Sequence, residues 1–171
     1  MRRALLVFVI CLAFVIGFLA SRLHPPTAFA AASMPSSGWT LHIDAQRHFG
    51  ASHSTQIAHH WCKGGLMGGI LECQIYDSDA PNARLVEVET IVPTSTWKQF
   101  SKSEQAVWHY HRKEIPLVHA TLPGMPPAQQ KKVVASMLET YGKVWLLWNP
   151  LNTKNGWPTG TPSIVVLPGG L

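Results

Sequence analysis

Strands followed by helices and then further strands place this chain in the α+β class, an antiparallel sheet packed by two or three helices. Three observations carry that reading. Extended segments separated by turn residues run from about 56 to 92 and predict a three-stranded meander. Helical signals follow between Pro93 and Gly142, and residues 143–148 and 163–167 read as C-terminal strands.

The first 30 residues read as an export signal, not as fold. Arg2-Arg3 form a positive start, Ala4 to Ala20 is uncharged and apolar, and Ala28-Phe29-Ala30 has the small-x-small pattern of a cleavage site. The alternative is an uncleaved anchor through residues 4–20, at the short end for a membrane span. The expected location is therefore periplasmic or secreted, or else anchored at the inner membrane. Residues 31–38 read as a linker and residues 39–171 as a single domain, long enough for a real core.

Cleavage would remove Arg2, Arg3 and Arg22, three of the fourteen Lys and Arg residues, with no acid. The formal charge then falls from +5 to +2. With no cluster of basic and aromatic residues, nucleic acid is not an expected partner.

Within the domain, residues 39–55 carry mixed signals and read as loop with a short helix around 44–49. Gln56 to Lys63 alternates as a strand; Gly64, Gly65, Gly68 and Gly69 make a turn; Ile70 to Tyr76 is a second strand. Asp77 to Asn82 is dense in turn residues. In the third strand, Arg84 to Val92, Val86, Val88 and Val92 share one face while Glu87 and Glu89 read as solvent-facing. An acid/base role for these glutamates would require same-face proximity to His109 or His111.

Residues 93–100 suit a short helix. Ser101-Lys102-Ser103-Glu104 is a capping box for a helix through about Lys113. A longer helix is expected from Pro126-Pro127 to Gly142, packing through Val133, Val134, Met137, Leu138 and Tyr141.

The chemistry-bearing residues lie in His59-His60-Trp61-Cys62, in Cys73, and in Trp108-His109-Tyr110-His111. On a strand His60 and Cys62 share one face and His59 and Trp61 the other. Hairpin geometry sets Cys62 opposite Cys73. In an exported chain a disulfide is the default for such a pair, and closing its loop contributes roughly 2–3 kcal/mol. The alternative is a transition metal such as zinc, held by His60, Cys62, Cys73 and one of His109 or His111. In a helix the last two lie about 200° apart, so only one would reach the sheet. Four such ligands would close a tetrahedral sphere. No Gly-x-Ser-x-Gly, His-Glu-x-x-His or Cys-x-x-Cys motif is present.

The order Ala58 to Lys63, Cys73 to Asp79 and Asn82 to Glu89 resembles the oil body-associated protein family. Trp108 to His111, Thr140 to Lys143 with Trp145 and Trp148, and Pro158 to Pro162 extend the likeness in order, so that it covers about 42–167. His59, Trp61, Tyr76, Asp77, Arg84, Glu89, Trp108, Tyr141 and Gly142 are positions of that pattern.

The resemblance implies no established enzymatic activity or cofactor, and this chain would be an exported, bacterial-type member. Plant members keep both cysteine positions in a reducing cytosol, which adds weight to the thiol or metal reading of Cys62 and Cys73, while the disulfide stays the leading expectation for an exported chain. Members of the family also place a histidine where this chain has Leu146, so a set including it is incomplete here. The expected function is a non-enzymatic structural or binding domain at a lipid or membrane surface. The alternative is a metal-binding protein or metal-dependent enzyme using the His/Cys cluster.

Overall fold

A computed structural model describes residues 35–46, 56–151 and 153–167. The proposed signal and anchor lie outside these residues, as do the linker up to Met34 and residues 47–49 of the proposed short helix. Among the described residues no helix is long and apolar enough to cross a membrane.

The α+β expectation holds: among the described residues, seven antiparallel strands and four α-helices build the domain. The meander is β2 (Ile57–Leu66), β3 (Ile70–Tyr76) and β4 (Leu85–Pro93), adjacent in that order. Its first turn uses Gly65, Gly68 and Gly69 at positive φ, a region that a Cβ disfavours. One strand was missed by sequence reasoning. Residues 41–46 form β1 (Leu41–Gln46), not loop and helix, because Leu41, Ile43 and Ala45 alternate with His42, Asp44 and Gln46. β1 pairs antiparallel with β2. Its outer edge is covered by the chain near Thr121, which exchanges backbone hydrogen bonds with Asp44 at 2.9 and 2.8 Å.

The central region departs from its expected form. After α1 (Thr94–Trp97), the capping box opens only one turn, α2 (Lys102–Gln105), in which Ser101 Oγ accepts from the Glu104 N–H. The predicted helix to Lys113 is interrupted by β5 (His109–Tyr110), after which α3 (His111–Glu114) begins. The long helix, α4 (Pro127–Met137), ends before the expected Gly142 because Thr140 already starts β6 (Thr140–Leu146). β4 pairs along all of β6. The other edge of β6 is shared by β5 near Gly142 and by β7 (Ser163–Val165) near Val144.

Cross-strand register sorts the side chains onto two faces. One face carries Ile43, Ala58, His60, Cys62, Cys73, Ile75, Glu87, Glu89, Ile91, Gly142 and His109. Leu122 and the α4 residues Val133, Val134 and Met137 pack with its apolar members to form the core. Full burial of a side chain such as Ile75 is worth about 1.5–3 kcal/mol. The opposite face carries His42, Asp44, His59, Trp61, Tyr76 and Lys143.

Candidate metal centre

Glu89 sits in the middle of the core face and is buried, as is Glu87, so neither is the solvent-facing charge the alternation suggested. Both faces of β4 are covered, and hydrophobic alternation cannot reveal that. Glu89 is satisfied by histidine. His109 Nε2 lies 3.1 Å and His111 Nε2 3.2 Å from the same oxygen, Oε1.

The break between α2 and α3 makes this convergence happen. His109 is a strand residue opposite Gly142, Tyr110 is still extended, and His111 is the first residue of α3. Residues two apart on extended backbone point the same way, so the helical 200° separation does not apply. Glu114 follows one turn later on the same face as His111. Its Oε2 is 3.0 Å from His109 Nε2 and 3.6 Å from His111 Nε2. Sequence reasoning passed over Glu114 altogether; the spacing His-x-His-x-x-Glu over 109–114 was the available signal.

The surroundings fix how these groups point. The Thr140 hydroxyl donates to the Met137 carbonyl at 2.6 Å, so it accepts from His111 Nδ1 at 2.7 Å. The proton on Nδ1 directs Nε2 at the centre, the usual arrangement behind a metal-binding imidazole. Gly142 leaves the room. A Cβ there would stand 2.7 Å from His111 Nε2, 2.5 Å from His109 Nε2 and nearer still to Glu89 Oε1.

Charge is tightly coupled. Burial pushes the Glu89 carboxyl up, but hydrogen bonds from His109 and His111 outweigh it and hold the group well below the usual range. Burial would lower His109, yet its bonds to Glu114 and Glu89 push it up to about 10. His60 behaves oppositely. Burial lowers it despite Glu89 and Glu114, leaving a neutral ring whose Nδ1 donates to the Ala58 and Ile43 carbonyls.

A cavity of about 50 Å³ adjoins the cluster, lined by Glu89, His111, Glu114 and His60 and by apolar residues such as Ile91 and Met137. An apolar cavity of about 150 Å³ admits benzene. This one has room for a few water molecules and none for an acyl chain.

Cys62 and Cys73 are directly opposed in register, as hairpin geometry suggested, and are joined in a disulfide with a Cα–Cα separation of 4.0 Å. Both sulfurs are thereby used, so the set of His60, Cys62 and Cys73 with one further histidine is not assembled as thiolate ligands. His109 and His111, expected to be mutually exclusive, instead sit together.

The remaining positions of the sequence pattern lie away from this centre. Trp108 Nε1 donates to Glu104 at 2.8 Å, Tyr141 stacks on Trp97 and Tyr110, and Tyr76 donates to Gln74. Arg84 binds the Asp77 carboxylate, lies over Trp148 and donates to the Gly156 carbonyl at 2.5 Å, tying the C-terminal segment to the meander. His59 and Trp61 belong to the opposite face.

Fold and cluster together define a small α+β domain with a buried two-histidine, two-glutamate candidate metal centre. The chain belongs to the family described as Protein of unknown function (DUF1264), which residues 34–168 match. It is similar to oil body-associated protein 2B of Zea mays, 36% identical over 113 residues, 66% of this chain and 45% of that protein. Oil body-associated protein 2B of Arabidopsis thaliana is 28% identical over 146 residues, 85% of this chain and 59% of that protein. Oil body-associated protein 1B of Arabidopsis thaliana is 30% identical over 126 residues, 73% and 52% of the two chains. The chain thus spans about half the length of the curated relatives it matches. No solved structure matches it.

Proposed function

We propose that this chain is a metal-binding domain that holds one divalent ion of the zinc class through Glu89, His109, His111 and Glu114. The carrying observation is that two imidazole nitrogens aim at a single carboxylate oxygen, with a second carboxylate beside them. A hydrogen-bonded network needs one proton per contact, whereas one cation satisfies all the donors at once. Ligands about 2.0 Å from a tetrahedral ion lie about 3.3 Å apart; the histidine nitrogens stand 3.0–3.6 Å from the two carboxylates, and the ligand atoms of Glu89, His109 and His111 lie within 4.8 Å of one another, with Glu114 beside them. Glu114, turning in beside the triad, would complete four ligands, and the small cavity admits water but no sizeable substrate, so the centre binds and stabilises more readily than it catalyses. The test is metal content of untagged protein purified without chelator. His109→Ala and Glu89→Gln should each hold one equivalent less than the wild type; metal-free wild-type protein that also rejects added zinc refutes the reading.

A second reading concerns partners and place. We propose that the domain works after export, at a lipid surface. The relatives' names and the exposed Leu151 and Trp157 of the C-terminal segment support it. Sedimentation with phospholipid vesicles tests it: the wild type should pellet and Trp157→Ala should pellet less. Wild-type protein that stays in the supernatant overturns it.

A further inference from the structure

On the opposite face of the sheet, His42 and Asp44 of β1, His59 of β2 and Asp79 of the β3–β4 connection converge on one point. His42 Nε2 is 3.1 Å from Asp44 Oδ1 and 3.1 Å from Asp79 Oδ1. His59 Nδ1 is 2.8 Å from Asp44 Oδ1 and 3.0 Å from Asp79 Oδ2. Each ring nitrogen therefore faces two carboxylates, although it has at most one proton to donate. The four ligand atoms lie within 4.8 Å of one another. Among the described residues Asp44 and Asp79 form ion pairs only with these two histidines.

The rings are also held in place. His42 stacks on Trp61 with centroids 4.3 Å apart and planes 6° from parallel, which fixes the direction of Nε2. His42 and His59 are largely buried, at 14% and 17% side-chain exposure, while Asp79 is at 39%. Three ligands are thus set by the β1–β2 pairing, and the fourth arrives from a surface turn.

We propose that His42, Asp44, His59 and Asp79 form a second divalent metal site, of two nitrogens and two oxygens suited to zinc. The ion fastens the turn that carries Asp79 to the first hairpin, and Asp79, the exposed ligand, is the route of exchange. The two centres lie on opposite faces of one sheet, so they load independently.

The experiment uses the full, untagged chain, stripped with chelator and titrated with zinc by calorimetry. A Glu89→Gln/His111→Ala background removes the core-face ligands. That background should bind one equivalent, and adding Asp79→Asn or His42→Ala should abolish it. Circular dichroism checks that each variant folds, and the surface substitution Asp79→Asn avoids any change in the core. Absence of zinc binding in the folded double variant overturns the second site whatever the wild type does. So does one equivalent that survives both Asp79→Asn and His42→Ala. If wild-type protein binds one ion that Glu89→Gln leaves in place and Asp79→Asn removes, the second site stands and the core-face reading fails.

Discussion

Gly142→Ala adds one methyl group at the point where the candidate metal centre is tightest. Gly142 is not among the residues at positive φ, so alanine suits the backbone. On conformational grounds the change should even stabilise the strand by about 0.5–1 kcal/mol. Sterically it should do the reverse. The new Cβ would stand 2.7 Å from His111 Nε2 and 2.5 Å from His109 Nε2. Ordinary contact needs about 3.5 Å or more, so one or both rings must retreat by roughly 1 Å, and such overpacking costs about 1–3 kcal/mol. Metal–ligand distances tolerate only about 0.2 Å, so ion binding should suffer more than folding. In wild-type protein, zinc at 100 times its Kd should add about 2.7 kcal/mol of stability, a rise in Tm of about 10 °C for a domain of this size. In Gly142→Ala the share of the zinc-dependent rise that the core-face centre contributes should vanish while the chelated protein still melts cooperatively. Differential scanning calorimetry with zinc and with chelator measures both. An alanine variant that keeps the full zinc-dependent shift would show that the histidines do not converge as described.

Two further outcomes follow from the same core face. The double variant Cys62→Ala/Cys73→Ala should lose about 2–3 kcal/mol in urea unfolding, and reductant should destabilise the wild type equally while leaving the variant unchanged; equal stability of the two proteins without reductant would contradict this. Metal-stripped protein should be most stable between about pH 4.5 and 6.5. His109, raised from 6.5 to about 10, contributes stability that is full below 6.5 and lost as pH climbs towards 10. Glu89, held well below 4.5, contributes stability that is lost as pH falls beneath that value. Chelated Tm values from pH 4 to 10 test this, and a flat profile above pH 6.5 would sink the His109 assignment.

The sheet was legible wherever side chains alternate between water and core. Ile70 to Tyr76 and the glycines before it specify a hairpin without ambiguity, and Cys62 opposite Cys73 follows from it. The candidate centre was hidden for the converse reason. Glu89 reads as exposed because nothing local shows that the segment from His111 to Met137 folds over that face. His109 and His111 read as helical because the capping box at Ser101 is real, yet the helix ends at Gln105, and Val107 and Trp108 close it with tight backbone bonds to the Glu104 and Gln105 carbonyls. Gly142 looked like a helix stop, whereas its function is the space it leaves between two strands. Glu114 stood in the local spacing His-x-His-x-x-Glu, whereas the meeting of Asp79 with Asp44 at His42 and His59 depends on contacts across the fold.

The disulfide adjoins Glu89 across the β3–β4 ladder, since Cys73 is the residue paired with it. Two sulfurs thus sit beside a nitrogen- and oxygen-lined centre, and oxidation has made them chemically mute. Reduced, they would be soft donors able to draw thiophilic ions such as copper(I) out of the neighbouring imidazoles' reach. Oxidised, they leave the choice of ion to the harder ligands alone. If the candidate centre takes up an ion, the redox state of this hairpin would set which donors stand beside it, and oxidation before metallation would leave the choice of ion to the nitrogen and oxygen ligands.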